Sequence, residues 1–268
     1  MLRSRIVPIL RTGPYRFSVI SCNLHSSVTR SRKRESRRSD CEQQTVAIIL
    51  CGCGALDGTE ISESISATIH CCQKDLRLKF FAPNIDICGV TDHLTKELDS
   101  CGVPRNALVE GARLARSKIS SLCECKACEA DALIIPGGFG AARTLSDFAS
   151  KGEDCTLLPD LERVIEEFSC DKKPIGTICI AAALVAKVLQ GVKITLGKDK
   201  PKEMWPYAAA IPKVKKMGAK IEMKDVRQFT RCKKYNVFST PAWMYKGTYS
   251  DIHEGIGKMV TAMKKSMK

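Results

Sequence analysis

No aspartate or glutamate occurs between Met1 and Arg34, and no apolar run in the 268 residues approaches the roughly 18 that a membrane-spanning helix needs. The second absence argues against a helical span and against a membrane partner. The first has company. Arg3, Arg5, Arg11 and Arg16 are interleaved with Leu2, Ile6, Leu10, Phe17, Val19 and Ile20, and serine is frequent. Arg-rich, Ser-rich and acid-poor is the composition of a mitochondrial presequence. A secretory signal would need an unbroken apolar core of about 7–15 residues, which is missing. Residues 1–43 are therefore expected to be a disordered targeting segment for the mitochondrial matrix, and 44–268 a single domain. The net charge of +14 looks like a nucleic-acid signature until it is mapped. Residues 1–40 hold nine Arg and one Lys against Glu35 and Asp40, so +8 sits at the front and +6 is spread over the rest. A basic tail at Arg30–Arg38 is the alternative reading of that end. Beyond it no nucleic-acid partner is expected, and Lys213, Lys215, Lys216, Lys220 and Lys224 read as a solvated basic face.

Histidine is scarce, with four in the chain, and the fifteen cysteines are an odd number. In a reducing matrix no disulfide framework is expected. Cys123, Cys125 and Cys128 resemble half of a zinc site, but no second Cys/His cluster accompanies them, and structural zinc takes four ligands. That stretch reads as a loop or helix end, and no metal is expected. Cys51, Cys53, Cys71 and Cys72 lie in or beside apolar segments and read as small core fillers.

From Thr45 onward, strand-like and helix-like segments alternate. Thr45–Leu50, Leu78–Ala82, Asp131–Ile135 and the run reaching Ile178 read as buried strands, with Lys193–Leu196, Lys220–Met223 and Tyr235–Ser239 as further candidates. Thr59 is placed to cap a helix over Glu60–Cys72, whose Ile61, Ile65 and Ile69 share one face. Leu161–Phe168, Ala181–Leu189 and Asp251–Met267 read as further helices. This alternation predicts an α/β fold with a mainly parallel central sheet, and sites in such sheets lie at the carboxyl ends of strands.

Three stretches converge on that edge. Pro174–Ala183 delivers Cys179 from an apolar strand straight into small, helix-forming residues, the layout of a nucleophile elbow with Cys for Ser. A helix N-terminus there would bias the thiol toward thiolate; a buried core cysteine is the other reading of the same residues. Pro136-Gly137-Gly138-Phe139-Gly140 follows a buried strand and leaves backbone N–H groups approachable. One of these and the N–H of Ile180 could hold an oxyanion, although a tight turn alone would explain the loop. Gly52, Gly54 and Gly58 are one residue off a dinucleotide fingerprint, so the product of that turn is Glu60 at a helix N-terminus, with Glu63 a turn on as its solvated partner.

Gly52–Ile61, Ile135–Ala142, Cys179-Ile180-Ala181 and Ser239-Thr240-Pro241-Ala242, in this order, resemble the ElbB-like group of the PfpI/ThiJ superfamily, including the mitochondrial glutamine amidotransferase-like class 1 domain proteins of the ES-one type. Met204–Ala208 and Ile252–Gly257 resemble the mitochondrial branch. The resemblance runs from about Thr45 to the C-terminus. It implies a flavodoxin-like three-layer sandwich, a nucleophilic Cys179 and a carboxylate leaning on it, matched here by Glu60. It further implies Gly138 and Ile180 as oxyanion donors, Gly137, Phe139, Asp57 and Thr240 around the pocket, and a homodimer. For bacterial members it implies glyoxalase or deglycase-type chemistry without metal, glutathione or other cofactor. Three positions depart from the pattern: Ile180 stands where many superfamily members have His, Ser62 where His is common, and Ala182 where Pro is usual.

Glutamine hydrolysis needs an imidazole beside the cysteine. His25 lies in the targeting segment, His70 and His93 lie away from the strand ends, and His253 and Glu254, adjacent on a helix, point about 100° apart. An aldehyde asks less of the protein. Cys179 is expected to attack glyoxal or methylglyoxal, or a glycated substrate, while Glu60 moves the proton. A redox sensor and a non-catalytic protein that keeps the fold are the other readings.

Overall fold

Runs of Ile, Val, Leu and Ala with no polar interruption build the middle of the molecule. In a computed structural model, which describes residues 43–99 and 102–267, the elements run in the order β1 (Thr45–Ile49), α1 (Ile61–Cys72), β2 (Arg77–Ala82), α2 (Ala107–Leu114), β3 (Ile119–Ser121) and β4 (Ala132–Ile135). There follow α3 (Phe139–Arg143), α4 (Phe148–Lys151), α5 (Pro159–Cys170), β5 (Ile175–Ile178), α6 (Ala181–Val188) and β6 (Lys193–Ile194). The chain closes with α7 (Ala210–Lys216), β7 (Lys220–Ile221), β8 (Thr230–Cys232), β9 (Val237–Thr240) and α8 (Tyr249–Lys264). Apart from Gln43, the expected targeting segment 1–43 lies outside the described residues.

The main sheet has the order β3-β2-β1-β4-β5-β9-β8, parallel throughout except for the antiparallel edge strand β8. Every residue of β1, β4, β5 and β9 is buried, so helices cover both faces, as an apolar parallel sheet requires. This is the mainly parallel α/β fold expected from the alternation, in the flavodoxin-like sandwich form that the resemblance implies. Because β1, β4 and β5 are parallel neighbours, their carboxyl ends share one edge. The glycine turn after β1, the Pro136–Gly140 loop after β4 and Cys179 after β5 therefore meet.

Several local expectations are corrected. Lys193–Leu196 and Lys220–Met223 contribute only the short β6 and β7, which pair with each other as a separate two-stranded sheet. The cap of α1 is Glu60, not Thr59; the Thr59 hydroxyl is taken instead by the Cys51 N–H at 2.6 Å. Ile61, Ile65 and Ile69 share a face, but that face looks outward. Glu63, Ser66, Ala67 and Cys71 are the side of α1 that is buried. Helix α1 packs closely on α8, and the His70 ring lies where a Cβ on Gly257 would otherwise stand. Small residues on both helices allow this approach. Among the cysteines expected as core fillers, Cys51 and Cys71 are buried, Cys53 is half-buried and Cys72 is exposed.

Candidate active site

Strand β5 ends at Ile178, and the next residue turns sharply. Cys179 has φ of 58°, a left-handed conformation that costs a non-glycine residue on the order of 1–3 kcal/mol and persists only where the surroundings enforce it. The enforcement is visible. The Cys179 N–H donates to the Thr240 carbonyl at 2.9 Å, continuing the β5–β9 pairing, and α6 begins two residues on. The side chain is thereby pushed out at the sheet edge while remaining only 7% exposed. This is the elbow expected from the sequence.

The carboxylate packed beside Cys179 is Glu63, not Glu60: its Oε2 and the Cys179 Cβ both close on Gly137. Glu63 is fully buried. Its Oε2 accepts from the Gly137 N–H at 2.8 Å and its Oε1 from the Trp243 N–H at 3.3 Å. Gly137 has to be glycine here, since a Cβ would stand 2.6 Å from the Cys179 Cβ and 2.8 Å from Glu63 Oε2. Glu60 is held differently. As the cap of α1, its Oε2 accepts from the Glu63 N–H at 2.7 Å and from the Ser62 hydroxyl at 2.6 Å. Its side chain lines the cavity in front of Cys179, and among the described residues no protein donor reaches Oε1. The reading of Glu63 as a solvated carboxylate fails because the Glu63-Ala67-Cys71 side of α1 turns inward.

Burial dominates the electrostatics. It pushes the Glu63 carboxyl up to about 8, helped by the Glu60 charge and opposed by the N–H groups of Gly137 and Trp243 and by the thiol. Burial, then the Glu63 charge, likewise lifts the Cys179 thiol well above its ordinary value, against the Ile180 N–H that faces the sulfur. The expected bias toward thiolate is thus corrected: one helix N-terminus does not offset desolvation beside a second acid. The two groups titrate as a pair.

Cys179 forms part of the wall of a cavity of about 300 Å³, at the lower end of small-molecule sites. Gly138, Ile180 and Phe139 line it, as does Trp243, whose indole N–H donates to the Ser62 hydroxyl at 2.7 Å. Among the described residues the Gly138 N–H is bonded to no oxygen acceptor, and the Ile180 N–H faces the Cys179 sulfur, so both point at the place where an oxygen bonded beside that sulfur would lie. Of the other residues expected around the pocket, Gly137 sits behind the lining, its N–H spent on Glu63. Asp57 is drawn away by the Thr91 N–H at 2.9 Å, and the Thr240 hydroxyl is bound to the Gln228 carbonyl at 3.0 Å. None of His70, His93 and His253 lines the cavity. His70 stacks on His253 with ring centroids 4.1 Å apart, and His93 accepts from the Leu56 N–H at 3.2 Å. Among the described residues no His/Cys/Asp/Glu group is arranged to hold a metal ion. Trp243 and Glu63 are the functional positions that local sequence reading missed; the spacing of Glu63, Ala67 and Cys71, one small buried side under a carboxylate, is the signal that marks the second.

No family model matches the chain. The chain is 41% identical to the ES1 protein homolog, mitochondrial, of Rattus norvegicus over 260 residues, which cover 97% of this chain and 92% of that protein. It is 43% identical over 238 residues to the glutamine amidotransferase-like class 1 domain-containing protein 3, mitochondrial, of Homo sapiens, covering 88% of this chain and 84% of that one. Among solved structures, an isoprenoid biosynthesis protein with an amidotransferase-like domain from Ehrlichia chaffeensis matches with a TM-score of 0.74 and 32% identity, over 84% of this chain and all of that chain.

The pair predicts a pH signature. Alkylation of Cys179 by iodoacetamide, followed by peptide mass spectrometry, should accelerate as pH rises through about 8, where the Glu63 carboxyl loses its proton and can accept that of the thiol. Glu63→Gln should remove that step; an unchanged step in the variant would show that the pair is not the titrating unit.

Proposed function

The chain belongs to the ES1 family of glutamine amidotransferase-like class 1 domain proteins, and from that premise we propose that it is a cofactor-independent, glyoxalase- or deglycase-like enzyme acting on small reactive aldehydes through Cys179. The observation that carries this reading is the strained elbow, which holds a thiol at the cavity wall against a buried carboxyl. Glutamine hydrolysis would need an imidazole on that thiol, and none of the described histidines lines the cavity. Peroxide sensing favours an exposed, low-pKa thiolate, and burial of Cys179 works against it. The names of the relatives, together with the arginine-rich, acid-free front of the chain, support a mitochondrial location, with the matrix as the compartment such a presequence addresses.

For a 2-oxoaldehyde the steps balance as an internal redox reaction plus one water. The sulfur bonds to the aldehyde carbon and its proton passes to Glu63 in molecules whose carboxyl has ionised, the form that dominates above about pH 8. The oxygen takes the negative charge, held by the Gly138 and Ile180 N–H groups, and is then protonated to give a hemithioacetal. Glu60, on the cavity wall with Oε1 unoccupied, removes the proton from that carbon and returns it to the neighbouring carbonyl carbon, while the hydroxyl proton of the hemithioacetal passes to the neighbouring carbonyl oxygen. The first carbon is thereby oxidised to a thioester and the second reduced to an alcohol. Water cleaves the C–S bond, the hydroxy acid leaves and the sulfur regains a proton. Purified protein should convert glyoxal to glycolate. Cys179→Ala should abolish the reaction, and Glu60→Gln should lower kcat about a hundredfold. Equal rates in wild type and Cys179→Ala, or no product from any aldehyde by a folded protein, would leave a non-catalytic member of the family.

We also propose a homodimer. The outward face of α1 presents Ile61, Ile65 and Ile69 at 47%, 38% and 41% exposure and carries no charged side chain, since the helix's acid, Glu63, is buried. A self-complementary apolar stripe suits an isologous contact between two copies. Ile65→Glu should halve the mass found by sedimentation equilibrium; a wild-type monomer would refute the dimer.

A further inference from the structure

Glyoxal has two carbons and no apolar surface, and the cavity over Cys179 suits a different molecule. Its wall is built from Leu56, Phe139, Phe148, Ile180, Pro206 and Met244, which come from well-separated parts of the chain. At about 300 Å³ it has room for about ten waters, and an apolar wall of that size gains little from water or from a hydrated dialdehyde. It gains from an aromatic or branched aliphatic body. Cys179 is 7% exposed and so lies at the floor, whereas Tyr207 is 44% exposed and Lys213 is also exposed, which places both at the rim.

Lys213 stands apart from its neighbours in its charge. Lys216 Nζ is paired with Glu153 at 2.7 Å, Lys151 Nζ with Asp147 at 2.7 Å, and Lys187 Nζ donates to the Glu153 carbonyl at 3.0 Å. Lys213 Nζ lies over Gly152, 3.6 Å from where a Cβ there would be; among the described residues it makes no ion pair within 4 Å, and Glu153, which feels its charge, is bound to Lys216. The cavity thus combines an apolar body, a thiol at the floor and one cation at the mouth that is held in no ion pair.

We propose that the substrate is a 2-oxoaldehyde with an aryl or branched-alkyl body and an anionic group at the end remote from the reacting carbonyl, the body filling the apolar cavity and the anion meeting Lys213. This rests on the carbonyl chemistry proposed above and names the class of molecule that the same site takes. The apolar body supplies affinity by leaving water, and the ammonium fixes which end enters first.

The test compares glyoxal, phenylglyoxal and 4-carboxyphenylglyoxal with the full chain. The ratio kcat/KM should rise about tenfold from glyoxal to phenylglyoxal and a further fivefold or so with the remote carboxylate. Lys213→Ala should lower the value for the carboxylate-bearing compound more than that for phenylglyoxal, and Lys213→Arg should retain it. Glyoxal turned over as fast as the aryl compounds would overturn the substrate class while leaving the thiol chemistry standing. Loss of turnover on all three would instead strike the proposed reaction, and binding then decides the inference. Quenching of tryptophan fluorescence, with Trp243 in the cavity wall, should report 4-carboxymandelate binding at least about tenfold more tightly than glycolate, weakened by Lys213→Ala. Equal affinities, or no dependence on Lys213, would overturn it.

Discussion

A thiol and a carboxyl, both removed from water and packed side by side, set the terms for everything around them. Cys179 arrives on β5 and Glu63 on α1; Gly137 follows β4 and Trp243 follows β9, and their N–H groups close on the Glu63 oxygens. Holding the carboxyl near 8 instead of its ordinary 4.5 corresponds to roughly 5 kcal/mol against ionising it in place. That is comparable with the whole stability of an ordinary domain, about 5–15 kcal/mol. Because the folded value lies above the unfolded one, the burden is absent below about pH 4.5 and fully present above about 8. The rest of the fold has to carry it, and the continuous burial of β1, β4, β5 and β9 is what does so.

Two carboxylates three residues apart end in different roles because of one helix. Glu63 sits a turn inside α1 on its buried side and meets the sulfur from behind, out of reach of the cavity. Glu60 caps the same helix, and its side chain reaches the cavity wall. Ser62 links Glu60 to the Trp243 indole, so the cap, the cavity wall and Glu63 belong to one hydrogen-bonded network. The division matches the proposed reaction, which needs one group to take the thiol proton and another to move a proton between carbons of the substrate.

Much of this arrangement was legible in the residues. Apolar runs marked β1 and β4, and the β-branched run that reaches Ile178 marked β5; once these are parallel neighbours their carboxyl ends must meet, which brings Cys179, the Pro136–Gly140 loop and the α1 N-terminus together. What could not be read was which side of α1 faces in. Ile61, Ile65 and Ile69 make the stronger apolar stripe, yet they face outward, because α1 buries Ser66, Ala67 and Cys71 and meets α8 through Ser66 and His70, against His253 and Gly257. That choice depends on residues nearly two hundred positions away, and it exchanges the environments of Glu60 and Glu63. Trp243 was hidden for the same reason: its N–H matters only after β9 has placed it beside α1. Asp57 and Thr240, though part of the motifs that carry the resemblance, turned out to hold backbone groups instead of facing the cavity.

The proton on the buried Glu63 carboxyl can be observed directly. Infrared difference spectra of wild type against Glu63→Gln should show the carbonyl stretch of a protonated carboxyl at pH 7, fading as the pH passes about 8. A Glu63 that is already ionised at pH 7, with no such band at any pH above 5, would contradict the account.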